Sequence, residues 1–103
     1  MKRRDALLKL VLPLALEEAV VDHLLQHPEW VGPFLTRRGE GHGAPERIAS
    51  AAERVRGRAE LVELEILMAM GDVPKLVAHL REDLGNADIV WWVTRVEDGG
   101  AFR

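Results

Sequence analysis

The sequence contains no cysteine, which excludes a disulfide framework, a thiolate metal site and a thiol nucleophile. It also lacks an excess of positive charge, because its formal net charge is −3. Proteins that hold nucleic acid through phosphate contacts carry a basic surface. We therefore expect no nucleic-acid partner.

Long apolar runs are absent as well. Residues 1–16 resemble a signal peptide in their basic start and apolar run. Asp5 and Lys9 interrupt that run, however, and Glu17 and Glu18 stand where cleavage would fall. The run is also too short to cross a bilayer. These features predict a cytoplasmic protein with no direct membrane insertion.

The chain has no recognisable Ser/His/Asp arrangement, no pair of catalytic carboxylates and no cofactor fingerprint. We therefore expect that the protein is not an enzyme. Its 103 residues suffice for one domain with a single core, residues 1–103.

Residues 58–68 decide how the rest of the chain is interpreted, because they fit two structures. Apolar residues at 62, 64, 66 and 68 alternate with Glu63 and Glu65, which predicts a strand with one apolar face. Good helix formers dominate the same stretch, so a helix is the alternative. Gly57, which is costly inside a helix, favours the strand.

Apolar spacing and glycines also place the other elements. Glycines at 39, 41 and 43 predict that the chain turns or opens there, followed by a flexible loop at about 43–57. The tail at 97–103 is expected to be loose. The remaining predictions are strands at 7–12, about 30–38 and 89–96, and helices at 15–27 and 73–84.

This order of elements predicts an α+β fold. It is a ferredoxin-like βαββαβ sandwich, in which two helices cover one face of a four-stranded antiparallel sheet. The two halves superpose at an offset of 56 residues, which places Val20 on Leu76 and His23 on His79. In such a fold the first and third strands are central neighbours.

The other face of that sheet has no helices to cover it. It is expected to carry Lys9 opposite a glutamate, and one of the adjacent residues Trp91 and Trp92. Together with Val11 and Leu67, that tryptophan predicts a face buried in an oligomer.

The segments LKLVLP, EGHG and ADIVWWV, in this order of elements, resemble the PII-like and CutA-like superfamily of small trimeric proteins. More narrowly, HPEW, GEGHG and ERVRGR are similar to a bacterial PII-like domain family of unknown function, whose genes often lie beside heavy-metal efflux systems. The resemblance covers roughly residues 7–97. It implies a homotrimeric regulatory protein that senses a small ligand or metal ion. Such a protein would act on a partner, such as a membrane transporter, through the 42–57 loop.

PII proteins bind nucleotides between subunits, and the resemblance places Gly41, His42 and Gly43 beside such a ligand. Glycine lets the backbone approach a ligand closely. Arg58 and Arg95 complete the predicted ligand-binding set. The basic segment that holds phosphates in PII proteins is acidic here, at residues 82–88. An ATP-type nucleotide is therefore less expected than a divalent transition metal ion.

Four histidines could ligate such a metal. His23 and His27 have the i, i+4 spacing of a helical metal site, but they border the apolar stripe and are interpreted as structural or surface residues. His79 is interpreted in the same way. His42, in the glycine-rich segment, is the predicted metal ligand.

Two other functions remain open from the sequence. One is a direct heavy-metal-binding protein of CutA-like type. The other is a small dimeric ferredoxin-like enzyme, which would need a polar pocket between helices and sheet.

Overall fold

A computed structural model describes residues 3–42 and 58–103. The predicted loop at 43–57, including Gly43 of the predicted ligand-binding set, lies outside the described residues. No helix of the described part is long and apolar enough to cross a membrane. The elements are β1 (Ala6–Pro13), α1 (Glu17–Leu25), β2 (Phe34–His42), β3 (Arg58–Met68), α2 (Val73–Leu84) and β4 (Val90–Arg95), with 3-10 turns at Leu14–Leu16 and Met70–Asp72.

The four strands form one antiparallel sheet in the order β2-β3-β1-β4. This confirms the predicted α+β, ferredoxin-like βαββαβ sandwich with β1 and β3 at its centre. Residues 58–68 are a strand, so the helical alternative was wrong. Its alternate residues Val62, Leu64 and Ile66 are fully buried. They pack in one core with Leu24 of α1 and Leu76 of α2, and burial of each such side chain contributes about 1.5–3 kcal/mol.

The second strand differs from its predicted position at about 30–38, since β2 runs from Phe34 to His42. Gly39 and Gly41, predicted to turn the chain, pair with β3 inside the ladder. The reason lies in the tertiary structure, because pairing with the long central strand β3 overrides the low strand propensity of glycine. Trp30 belongs instead to a turn, because its N–H donates to the carbonyl of His27 at 3.1 Å.

Gly32 marks a close approach of two backbone segments at the start of β2. A Cβ added there would lie 2.1 Å from the carbonyl oxygen of Leu67. The next residue, Pro33, accepts a hydrogen bond from the N–H of Leu67 at 2.9 Å. A side chain at position 32 would therefore push the entry of β2 away from β3.

We expect Gly32→Ala to lower the free energy of unfolding by about 1–3 kcal/mol, the usual cost of overpacking. Chemical denaturation measures it. Gly39→Ala is the matched control, because a Cβ at Gly39 meets nothing within 4 Å and alanine is favoured over glycine inside a strand. Equal stability of the two variants would contradict the close approach.

Candidate functional site

The sheet face that the helices leave uncovered carries a network of four charged side chains. Lys9 Nζ lies 3.7 Å from Glu63 Oε1 and 3.5 Å from Glu65 Oε1, as the predicted cross-strand pairing requires. Arg37 Nε donates to Glu63 Oε2 at 3.0 Å, and Arg37 Nη2 donates to Glu65 Oε1. The carboxylates of Glu65 and Glu63 raise the pKa of Arg37. The two positive and two negative groups balance one another.

Apolar side chains surround this balanced network. Leu35 is 73% exposed and Trp92 is 46% exposed. Trp92 pairs with Lys9, whose Nζ lies 5.7 Å from the centroid of the Trp92 ring, within cation–π range. Trp91 pairs with Leu10 and so faces the helices, which confirms that adjacent tryptophans point to opposite faces. The uncovered face thus combines internally neutralised charge with exposed apolar area.

On the helical side, three histidines converge between α1 and α2. The ring centroids of His27 and His79 are 4.5 Å apart, those of His23 and His27 are 5.1 Å apart, and those of His23 and His79 are 5.9 Å apart. Trp30 stacks on His27 at 5.0 Å and meets His79 edge-on. One nitrogen from each imidazole lies within 4.8 Å of the other two. We call His23, His27 and His79 the histidine cluster.

Carboxylates hold one nitrogen on each of two cluster rings. Asp83 Oδ2 lies 3.2 Å from His23 Nδ1, and Glu29 Oε1 lies 2.8 Å from His27 Nδ1 in a hydrogen bond. Hydrogen bonds from the Glu29 backbone N–H and from His27 lower the pKa of the Glu29 carboxyl. A carboxylate at Nδ1 favours the tautomer with its proton on that atom, which leaves the lone pair on Nε2.

His23 Nε2 is the unusual atom of the cluster. His23 is 8% exposed, and no described residue hydrogen-bonds its Nε2. Buried polar atoms are nearly always paired, so an orphaned one requires an explanation, such as an ion or water. The cluster therefore offers, beside two further imidazoles, a buried nitrogen that has no hydrogen-bond partner in the part of the chain that the structure describes.

The structure places the predicted ligand residues away from this cluster and from one another. His42 and Arg58 pair at one end of the β2-β3 ladder. Arg95 pairs with Ala6, which pairs with Met68 at the opposite end of β3. Ten residues of strand separate the two ends, about 33 Å. Within one chain, Arg95 and His42 thus lie too far apart to share a small ligand. Gly41 precedes His42 in β2, and ligation by His42 stays a prediction.

The sequence contained a signal for the histidine cluster. The 56-residue offset places His23 on His79, and a duplicated fold brings equivalent helix positions together across the helix pair. In the predicted helix at 15–27, the i, i+4 spacing adds His27 to the side of His23. In the structure α1 ends at Leu25, and His27 lies just beyond its end. Interpreting each histidine singly, as structural or surface, missed their convergence.

Comparison with known proteins identifies the family of this chain. Residues 2–103 match the model of the DUF3240 family, a protein family of unknown function. Comparison with proteins of curated function finds no match.

Among solved structures, a DUF3240 family protein from Shewanella baltica is similar at a TM-score of 0.78 and 17% identity, covering 98% of this chain and 99% of its own. CPII, a nitrogen regulatory PII-like protein from Thiomonas intermedia bound to ADP, AMP and bicarbonate, is similar at a TM-score of 0.70 and 16% identity, covering 95% and 96%. GlnK of B. subtilis in complex with ATP is similar at a TM-score of 0.65 and 15% identity, covering 93% of this chain and 84% of its own. The fold is thus PII-like, and the chain belongs to the DUF3240 family.

Proposed function

We propose that this protein is a PII-like regulatory protein. It assembles as a homotrimer through its uncovered sheet face, binds a small effector or metal ion, and passes the bound state to a partner protein. The observation that carries the proposal is the uncovered face itself, in a chain whose described residues adopt the PII-like fold.

The composition of the uncovered face suits contact with copies of the same chain. Glu63 and Glu65 already neutralise Lys9 and Arg37. Burial of this network in an interface would therefore leave none of its four charges unpaired. Leu35 and Trp92 supply exposed apolar area around the network, and association removes that area from water.

The regulatory role rests on the fold and on its neighbours. CPII is described as a nitrogen regulatory PII-like protein. An effector site between subunits would bring Arg95 of one copy towards Gly41, His42 and Arg58 of another, which one chain alone cannot do. The partner we expect is a membrane transporter, contacted through residues 42–57.

Native mass spectrometry at micromolar concentration tests the assembly. We expect a species of three times the 11.5 kDa of one chain, retained after mild desalting because the contact is apolar. A stable monomer or a dimer would overturn the proposed assembly, and a dimer would favour the enzyme alternative instead.

A further inference from the structure

We propose that the histidine cluster, His23, His27 and His79, is a binding site for one divalent transition metal ion per chain. This proposed site goes beyond the regulatory role and does not depend on that role, because all three ligands lie in one chain. The site lies on the helical side of the sheet, away from His42.

The spacing of the three nitrogens suits a single ion. Three atoms within 4.8 Å of one another all lie within about 2.8 Å of a common point, and a zinc–nitrogen bond is about 2.0–2.1 Å long. Each nitrogen therefore has to move by less than 1 Å, which a small rotation of the imidazole provides. The backbone of α1 and α2 stays in place.

The carboxylates orient the rings as metal sites require. A metal-bound histidine usually donates its other N–H to a carboxylate, which fixes the ring and raises its basicity. Asp83 stands at His23 Nδ1 and Glu29 at His27 Nδ1. His23 Nε2, which no described residue hydrogen-bonds, then gains a partner that explains its burial.

The donor set selects the class of metal. Neutral imidazoles suit Zn²⁺, Cu²⁺ and Ni²⁺, whereas Mg²⁺ and Ca²⁺ require oxygen ligands. Three protein ligands leave a fourth position open to water or to a small exogenous ligand, whereas structural zinc sites are closed by four protein ligands. Among the three ions, Cu²⁺ is expected to bind most tightly.

Isothermal titration of the full-length chain with ZnCl₂ or NiCl₂ tests the site, with MgCl₂ as the ionic control. We expect one Zn²⁺ per chain and no heat from Mg²⁺ beyond dilution. His79→Ala and His27→Ala should each weaken Zn²⁺ binding at least tenfold. Gln26→Ala is the matched control, because Gln26 is an exposed residue at the end of α1 between His23 and His27, and it should bind Zn²⁺ like the wild type. His42→Ala tests the competing prediction that His42 is the metal ligand.

Circular dichroism of each variant separates loss of binding from loss of folding. Zn²⁺ should also raise the Tm of the wild type and of Gln26→Ala, but not that of His79→Ala, because an ion that binds only the folded state stabilises it. Zn²⁺ binding that survives both His27→Ala and His79→Ala, or that disappears in His42→Ala, would overturn the site. So would a wild type that binds Zn²⁺ no better than Mg²⁺. Each of these outcomes is independent of the number of chains in the assembly.

Discussion

Replacing Trp92 by glutamate is expected to convert an assembly of three chains into monomers. Trp92 lies on the uncovered sheet face and is already 46% exposed within one chain, so the monomer should tolerate the change. In an assembly the new carboxylate would be desolvated near Glu63 and Glu65, whose charges Lys9 and Arg37 already neutralise. An unpaired buried charge costs several kcal/mol, which exceeds the contribution of one apolar contact.

Analytical ultracentrifugation of Trp92→Glu measures the change in mass. Ala19→Glu provides the control, because Ala19 is exposed on α1, in the helical layer and not on the sheet face. It adds the same charge and should leave the assembly intact. If Trp92→Glu keeps the wild-type mass while its circular dichroism is unchanged, the copies do not associate through this face.

The sequence predicted the centre of this fold better than its edges. β3 was recognisable because its apolar and acidic residues alternate strictly, and that alternation matches its burial in the structure. β2 was misplaced because Gly39 and Gly41 have low strand propensity. Their conformation depends on hydrogen bonds to β3, which a local pattern does not contain.

For the histidine cluster too, the sequence predicts the local spacing of residues but not the contacts that depend on tertiary packing. Helical spacing relates His23 to His27, but the separation of His79 from both depends on how α1 packs against α2. The 56-residue offset between the two halves of the sequence indicated that relation, because it makes His23 and His79 equivalent positions. The carboxylate contacts at Asp83 and Glu29 depend on side-chain placement, and no spacing in the sequence predicts them.

The two surfaces lie in different layers of the molecule. Assembly through the uncovered sheet face would leave the helical layer, with His27 and His79, on the outside of the oligomer. Residues 28–33 connect His27 directly to β2, the strand that leads into residues 43–57. An ion held by His27 would therefore be bound at the start of the connection that enters β2.

Removing the carboxylate of Asp83 is expected to weaken Zn²⁺ binding by the histidine cluster about tenfold or more, the usual effect of losing a group that orients a metal-bound histidine. Asp83 Oδ2 lies 3.2 Å from His23 Nδ1, yet its side chain is 67% exposed. Asp83→Ala should therefore leave folding without metal almost unchanged. Isothermal titration compares Asp83→Ala with Glu82→Ala, which removes an exposed carboxylate from the adjacent position.

Asp83→Asn distinguishes orientation from charge. The asparagine keeps an oxygen that accepts a hydrogen bond from His23 Nδ1, so it restores the orientation of the ring but not the full basicity that a carboxylate provides. We therefore expect its Zn²⁺ affinity to fall between those of Asp83→Ala and the wild type. If Asp83→Ala and Glu82→Ala weaken binding equally, the carboxylate acts only through the general charge of the surface, and the contact with His23 has no specific part in holding the metal.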